Sequence, residues 1–359
     1  MKKYFLLVLL LPILLQCNKT EDPIPTIIEP TPPEATVSEV NFPEGKGFDL
    51  LSEYNFFEGN VADLNPNTEG GVLPYDLNTT LFSDYAEKAR FIYVPEGQQI
   101  PFDTAGTLNL PIGTVLIKHF FYPEPDGTED YIETRLFIKR MDGWQPEIYE
   151  WNDAQTDAER TVIGGTRQLT VTANGEQRTF NYLIPNQNQC KNCHAYNGEI
   201  QPIGPTIPNL NKLYDYPDGN ANQLDKWQSQ GILSFNTLSE TPKWSSIDDT
   251  TTSLHDRARA YLAVNCSSCH RREGSAANSG LYLEYNNQDS LSLGFWKTPV
   301  AAGNGSGGLS YAIHPGAADQ SILLYRMISD EVEGRMPEIG RELLHEEGIS
   351  LIREWIDSM

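Results

Sequence analysis

Short apolar–polar alternations run through residues 47–185 of the chain. A period of two is typical of β-strands with one buried face. Pro, Gly, Asp and Asn stand between these segments, as is usual for turns. The strand-like segments are Phe91–Val94, Thr114–Tyr122, Glu133–Lys139 and Arg178–Ile184. The pattern therefore predicts a β-rich domain over residues 47–185.

A helical period replaces this alternation near the C-terminus. Ser253 is a suitable N-cap for a helix, with Asp256 three positions later, and apolar residues then recur at helical spacing. A second helical stripe consists of Leu351, Ile352, Trp355 and Ile356. A further short helix is predicted near residues 223–227. The predicted fold class is α+β, with the β-rich N-terminal domain followed by an all-α domain over residues 247–359.

The N-terminal apolar run, Phe5–Leu15, is too short to cross a bilayer as a stable helix. It predicts a signal peptide over residues 1–16. Cys17 follows directly and resembles the acylated cysteine of bacterial lipoproteins, although Gln16 stands where a small residue is usual. Residues 17–46 would then be the lipid-bearing cysteine and a Pro-rich linker. The alternative is a plain signal peptide with an incidental cysteine.

This resemblance implies an exported lipoprotein of the cell envelope, held to a membrane by its N-terminal lipid. We expect a periplasm-facing or outer-membrane position. The 359 residues carry 26 Lys and Arg against 49 Asp and Glu, a formal net charge of −23. Such an acidic surface argues against nucleic-acid binding, which needs cationic groups for the phosphates. It favours a protein partner with a basic patch.

The other four cysteines form two pairs, each followed directly by a histidine. The first motif is Cys190-Lys-Asn-Cys193-His194 and the second is Cys266-Ser-Ser-Cys269-His270. A CxxC pair alone could be a redox dithiol, half of a zinc site or a disulfide. The histidine after both pairs favours haem. Two thiols at this spacing can bond to the two vinyl groups of one porphyrin, and the adjacent imidazole can bind its iron.

CxxCH is the attachment motif of c-type cytochromes, and residues 247–359 resemble a class I cytochrome c domain. The resemblance implies two covalently bound haem c groups. Cys190 and Cys193 would attach the first haem and Cys266 and Cys269 the second. His194 and His270 would be the proximal iron ligands. Residues 186–246 form the first haem-attachment segment.

The resemblance also implies a distal methionine for the second haem. Met336 precedes a proline in a predicted loop before the last helix, which is where that family places this ligand. Met327 lies in an apolar helical run, so we predict that it packs in the core. His314 is the alternative distal ligand, although a turn histidine without that role is the simpler interpretation.

The distal ligand of the first haem has several candidates. His119 is expected on the same strand face as Val115 and Ile117. A histidine there is often only a core residue. Met141 and His255 are further candidates, and the site could also be vacant or hold water.

The pattern resembles a group of exported bacterial dihaem cytochromes, and it predicts an electron carrier rather than an enzyme. One rival is a dihaem peroxidase or similar oxidoreductase, which needs an open iron site. Another is a ligand-binding β domain with the haems as its electron outlet.

Overall fold

The computed structural model describes residues 39–104, 107–234, 241–300 and 302–359. All of them belong to one compact unit. The predicted signal peptide, the lipobox cysteine Cys17 and most of the predicted linker lie outside the described residues. In the part that is described, no helix has the length and apolar character needed to cross a membrane.

Strands dominate the fold. In chain order they are β1 (Val72–Pro74), β2 (Glu87–Tyr93), β3 (Ile100–Pro101), β4 (Val115–Pro123), β5 (Glu129–Arg140), β6 (Gly143–Trp151), β7 (Ala158–Thr161), β8 (Gly165–Ala173), β9 (Glu176–Ile184), β10 (Ala195–Tyr196), β11 (Glu199–Ile200), β12 (Leu213–Tyr216), β13 (Gly219–Asn222) and β14 (Leu233–Ser234).

The main sheet has six antiparallel strands in the order β1-β2-β4-β5-β6-β7. Strands β8 and β9 form a separate hairpin, and β10–β11 and β12–β13 form two smaller ones. Strands β3 and β14 pair in parallel. All four strand-like segments of the sequence analysis are confirmed as parts of β2, β4, β5 and β9.

Helices are fewer and mostly short. They are α1 (Gln187–His194), α2 (Ile207–Leu210), α3 (Gln223–Ser229), α4 (Leu254–Asn265), α5 (Ile322–Ile328) and α6 (Glu346–Asp357). The predicted helix near residue 223 is confirmed as α3. The predicted N-cap of α4 is also confirmed, since the Ser253 side chain accepts a hydrogen bond from the Asp256 backbone N–H. The last apolar stripe lies on α6.

The main sheet is covered on both faces. One face packs against the segment before β1 and buries an aromatic cluster that includes Tyr54, Phe56 and Trp151. The other face carries two apolar clusters. The first cluster joins Leu116 and Phe137 to Trp227 of α3, and the Trp227 side chain is completely buried. The second joins residues of β4, β5 and β6 to the β8–β9 hairpin and to Cys190 of α1.

The prediction of an all-α cytochrome c-like domain is wrong. The structure is 28% strand and 21% helix, with six α-helices among the described residues. Only α4, α5 and α6 lie beyond residue 247, and long irregular segments with short 3₁₀ turns connect them. The physical reason is local, because residues 271–320 are rich in Gly, Asn and Ser and carry no helical apolar period.

The C-terminal region is also bonded to the sheet. The Asp84 carboxylate, just before β2, accepts hydrogen bonds from the backbone N–H groups of Glu342 and Leu343 at 2.7 Å each. Arg178 of β9 pairs with Glu346 at the start of α6. These bonds stabilise the attachment of the last helix to the β-rich part.

Asp84 gives a testable pH dependence of stability. Burial raises its pKa to about 6, although the N–H groups of Leu343 and Glu342 act in the opposite direction. Between about pH 4 and 6 the folded state therefore binds more protons than the unfolded state, so stability falls as the pH rises through this window. A shift of this size corresponds to about 3 kcal/mol.

We therefore expect the substitution Asp84→Asn, which keeps an accepting oxygen, to remove this part of the pH dependence. Asp84→Ala is expected to lower the free energy of unfolding by about 2–3 kcal/mol, since it leaves two N–H groups without their acceptor. Urea unfolding of the three proteins at pH 4 and pH 7 measures both effects. Equal pH dependence in the wild type and Asp84→Asn would contradict the assignment.

Candidate haem-binding site

The first CxxCH motif lies on α1. Asn186 caps this helix by accepting a hydrogen bond from the Gln189 backbone N–H, and the Gln189 side chain bonds the Asn186 N–H in return. Cys190 and Cys193 are three positions apart, so both sulphur atoms lie on one side of the helix. Cys190 is buried, and Cys193 is partly exposed. The motif is therefore held as a short rigid turn with its two thiols side by side.

His194 ends α1 with its ring fixed at two points. Its Nδ1 atom lies 2.7 Å from the backbone carbonyl oxygen of Gln201. Because a carbonyl only accepts, Nδ1 carries the proton and Nε2 keeps its lone pair. The ring packs on Phe137 of β5 at 4.4 Å between centroids. Burial lowers the pKa of His194 to about 4, so the ring is neutral at pH 7. This is the form that binds a metal through Nε2.

The second motif begins where α4 ends. Cys266 is the C-cap residue of α4, and its carbonyl oxygen accepts hydrogen bonds from the N–H groups of Cys269 and His270. These bonds make a tight turn directly after the helix. The second pair of thiols is thus presented by a turn, whereas the first pair is presented by a helix.

His270 has the same tautomer as His194. Its Nδ1 lies 3.3 Å from the Ser279 hydroxyl, and that hydroxyl donates its own hydrogen to the carbonyl of Ala276 at 2.7 Å. Ser279 therefore accepts from Nδ1–H, and Nε2 keeps its lone pair. Burial lowers the pKa of His270 to about 4. Both histidines are thus neutral, oriented by a hydrogen bond and able to bind iron.

The fold brings the two motifs together although 72 residues separate the pairs in sequence. The Cys269 sulphur lies 3.7 Å from the carbonyl oxygen of Asn192. A hydrogen bond between the thiols of Cys193 and Cys269 raises the pKa of Cys193 and lowers that of Cys269. Arg271, directly after the second motif, stacks on Tyr196, two residues after the first motif. Its guanidinium carbon lies 4.0 Å from the ring centroid. Two groups attached at these motifs would be close neighbours.

Met336 lies in the loop after α5. Its backbone N–H donates to the carbonyl of Arg326 at 2.9 Å, and its own carbonyl accepts from Arg341. The loop is near the second motif, because Arg326 contributes to the lowered pKa of His270 and Glu338 acts on that of Cys269. Met327 is buried in the C-terminal core, which confirms its predicted role. The distal role of Met336 remains a prediction.

His119 is buried completely on β4, on the predicted strand face. Its Nδ1 bonds the Thr134 hydroxyl at 2.6 Å, and aromatic rings including Phe57 and Trp151 surround it. Side chains alternate between faces along β5, so Thr134 and Phe137 lie on opposite sides of the sheet. The structure therefore does not bring His119 to His194, which packs on Phe137.

The other candidate ligands also lie in different places. Met141 is 90% exposed in the turn after β5. His255 is exposed at the start of α4 and accepts a hydrogen bond from the Trp355 indole at 3.1 Å. His314 is partly buried and packs against Trp296. None of these contacts involves a residue of either CxxCH motif.

His345 borders a cleft that the sequence analysis did not predict. It precedes α6, its ring stacks on Phe82 at 4.2 Å, and its Nδ1 lies 3.1 Å from the Tyr261 hydroxyl. It borders a cleft of about 600 Å³ together with Lys88 and Arg90. No local pattern indicates this position, because the partners of His345 lie far away in the sequence.

No family model, no curated protein and no solved structure matches the chain. Among the described residues, no group of three or more His, Cys, Asp and Glu side chains is gathered as a metal site.

Proposed function

We propose that the chain is a dihaem c-type cytochrome that transfers electrons in the cell envelope. The observation that carries the proposal is the arrangement of the two CxxCH motifs. Each motif offers two neighbouring thiols and a neutral histidine whose Nε2 lone pair is left available by a hydrogen bond at Nδ1. Both features are what covalent haem attachment and axial ligation require.

The residues that would hold the cofactors follow from this arrangement. Cys190 and Cys193 would form thioethers to one haem, and the second motif would attach the other. Each haem supplies a one-electron iron centre. His194 and His270 would bind the two irons, with Gln201 and Ser279 fixing the orientation of their rings. Met336 would be the distal ligand of the second haem.

The contact between the motifs supports electron exchange within the chain. Cys193 and Cys269 lie against each other, and Asn197 after the first motif bonds Glu273 after the second at 3.4 Å. The acidic surface supports a partner protein with a basic patch. A lipid at Cys17 would keep the carrier at a membrane.

A second candidate is thiol–disulfide exchange, which the contact between Cys193 and Cys269 favours. A partner disulfide would accept two electrons and two protons while the two sulphurs become bonded, giving two thiols on the partner. The lowered pKa of Cys269 suits an attacking thiolate. Unlike haem attachment, this reaction gives no role to His194 or His270.

One experiment separates the two candidates. The full chain is produced in a bacterium with haem-maturation machinery, and its mass is measured after denaturation. We expect an increase equal to two haems per chain and haem staining of the denatured band. Four free or disulfide-bonded cysteines without added haem would contradict the cytochrome proposal and favour the dithiol.

An electron paramagnetic resonance spectrum of the oxidised holoprotein then distinguishes an electron carrier from a peroxidase. We expect a low-spin signal for the second haem, whose iron would have His270 and Met336 as its two axial ligands. A high-spin signal together with peroxide turnover would contradict the carrier and favour the enzyme.

A further inference from the structure

Three basic residues form a row across the main sheet. Arg90 of β2 is paired in register with Lys118 of β4, and Lys118 is paired with Arg135 of β5. Paired residues point to the same face, so the three cations are direct neighbours. Like charges in directly opposite positions destabilise a sheet. We call these three residues the basic row. Anions close to the basic row would reduce the repulsion between its positive charges.

Protein carboxylates balance only the two ends of the basic row. Asp76 accepts a hydrogen bond from Arg90 at 2.9 Å. Glu133 pairs with Arg135 and also accepts from the Tyr182 hydroxyl. Within the described part of the chain, the Lys118 ammonium has no ion pair and donates no hydrogen bond. This ammonium lies 4.6 Å from the centroid of Phe120. The central ammonium thus lies between two guanidinium groups, and burial together with these neighbours lowers the pKa of Lys118 well below its usual value.

The basic row lies beside the first CxxCH motif. Phe137, two residues beyond Arg135 on the same face, packs against the ring of His194. Arg135 acts electrostatically on the thiols of Cys190 and Cys193, and Lys118 acts on His194. The row lies between the two apolar clusters of this face. Cationic side chains interrupt an otherwise apolar surface at the place where the motif faces the sheet.

We propose that the basic row is a carboxylate-binding site, and that its occupants are the propionates of the haem attached at Cys190 and Cys193. This proposal rests on the proposed function. The propionates of a haem lie on the edge opposite its vinyl groups. The row starts near the two thiols at Arg135 and extends across three strands, about 10 Å at the usual strand spacing, to Arg90. It therefore leads away from the thioether edge.

A diffusible carboxylate is the other source of the same chemistry. Such a molecule would enter by the cleft bordered by Arg90 and His345. Lys88 has the same side-chain direction as Arg90, two positions along β2, and also borders this cleft. The cleft thus provides a route from solvent to one end of the basic row, and the experiment has to distinguish the two sources.

The test is the substitution Lys118→Met in the holoprotein, followed by spectroelectrochemical titration of both haems. A nearby cation favours Fe(II) over Fe(III), so its removal should lower the midpoint potential of one haem. We expect a tenfold change in the reduction equilibrium, which is 59 mV for one electron. Lys118→Arg keeps the charge and should keep the potential. Lys46→Met removes an exposed lysine and should leave both potentials unchanged.

Succinate distinguishes the sources. With propionates as occupants, added succinate leaves the wild-type potentials unchanged. A succinate-dependent shift in the wild type that Lys118→Met abolishes would overturn the propionate assignment in favour of a diffusible carboxylate. Two haems with unchanged potentials in Lys118→Met would overturn the basic-row proposal alone. Absence of covalent haem from the wild type would overturn it together with the proposed function. Loss of one haem in Lys118→Met but not in Lys118→Arg would support it.

Discussion

The double substitution Cys190→Ser and Cys193→Ser is expected to reduce the covalent haem content from two per chain to one. Serine keeps the size of the side chain but forms no thioether, so the first porphyrin loses both attachment bonds. The second motif has its own thiols and its own histidine, and it should be loaded normally. The haem content is measured by the mass of the denatured chain and by the pyridine haemochrome absorbance per protein.

The matched variant is Cys266→Ser with Cys269→Ser, which should lose the other haem. Comparing the two single-haem proteins also assigns each midpoint potential to its motif. Cys17→Ser serves as a control, because it changes the predicted lipid attachment and should leave two haems. A haem content of two in either double variant would show that the attachment sites are assigned incorrectly.

The substitution Met336→Ala is expected to lower the midpoint potential of the second haem and to abolish the Met–Fe(III) charge-transfer band. A thioether ligand favours Fe(II), so its replacement by water or by another side chain shifts the equilibrium towards Fe(III). The fold supports this expectation because the loop of Met336 lies near His270. Optical spectra of the oxidised protein and a redox titration measure both effects.

Met327→Leu is the matched control, since it replaces the nearby buried methionine of α5 by a residue of similar volume. The charge-transfer band should survive this change. A band that persists in Met336→Ala would refute the ligand assignment. A band lost only in Met327→Leu would assign the ligand to α5 instead.

Local patterns were sufficient for much of the fold. The long strands β4 and β5 contain many β-branched and aromatic residues, and α4 starts at a capping serine. These strands and this helix were therefore predictable. Helix α1 was missed because its eight residues include two Asn, two Cys and one His, which are weak indicators of helix. The capping pair of Asn186 and Gln189 was the available signal.

Other features depend on contacts between distant residues. The stacking of His345 on Phe82 joins parts of the chain that no local pattern connects. The basic row exists only through the register of three strands, which the spacing of Arg90, Lys118 and Arg135 does not reveal. The prediction of an all-α domain was wrong for the same reason, because it relied on local patterns alone. Two helices at the ends of residues 247–359 were correct, but nothing local showed that the segment between them would stay irregular.

The packing of the two motifs against each other has a consequence for how the protein is made. Cys190 is buried, and Cys193 lies against Cys269 from a part of the chain synthesised later. A porphyrin would reach these thiols more readily before the second motif packs against the first, so the proposed haem attachment is favoured early in folding. Because the first motif is synthesised earlier, the order of biosynthesis agrees with this sequence of events.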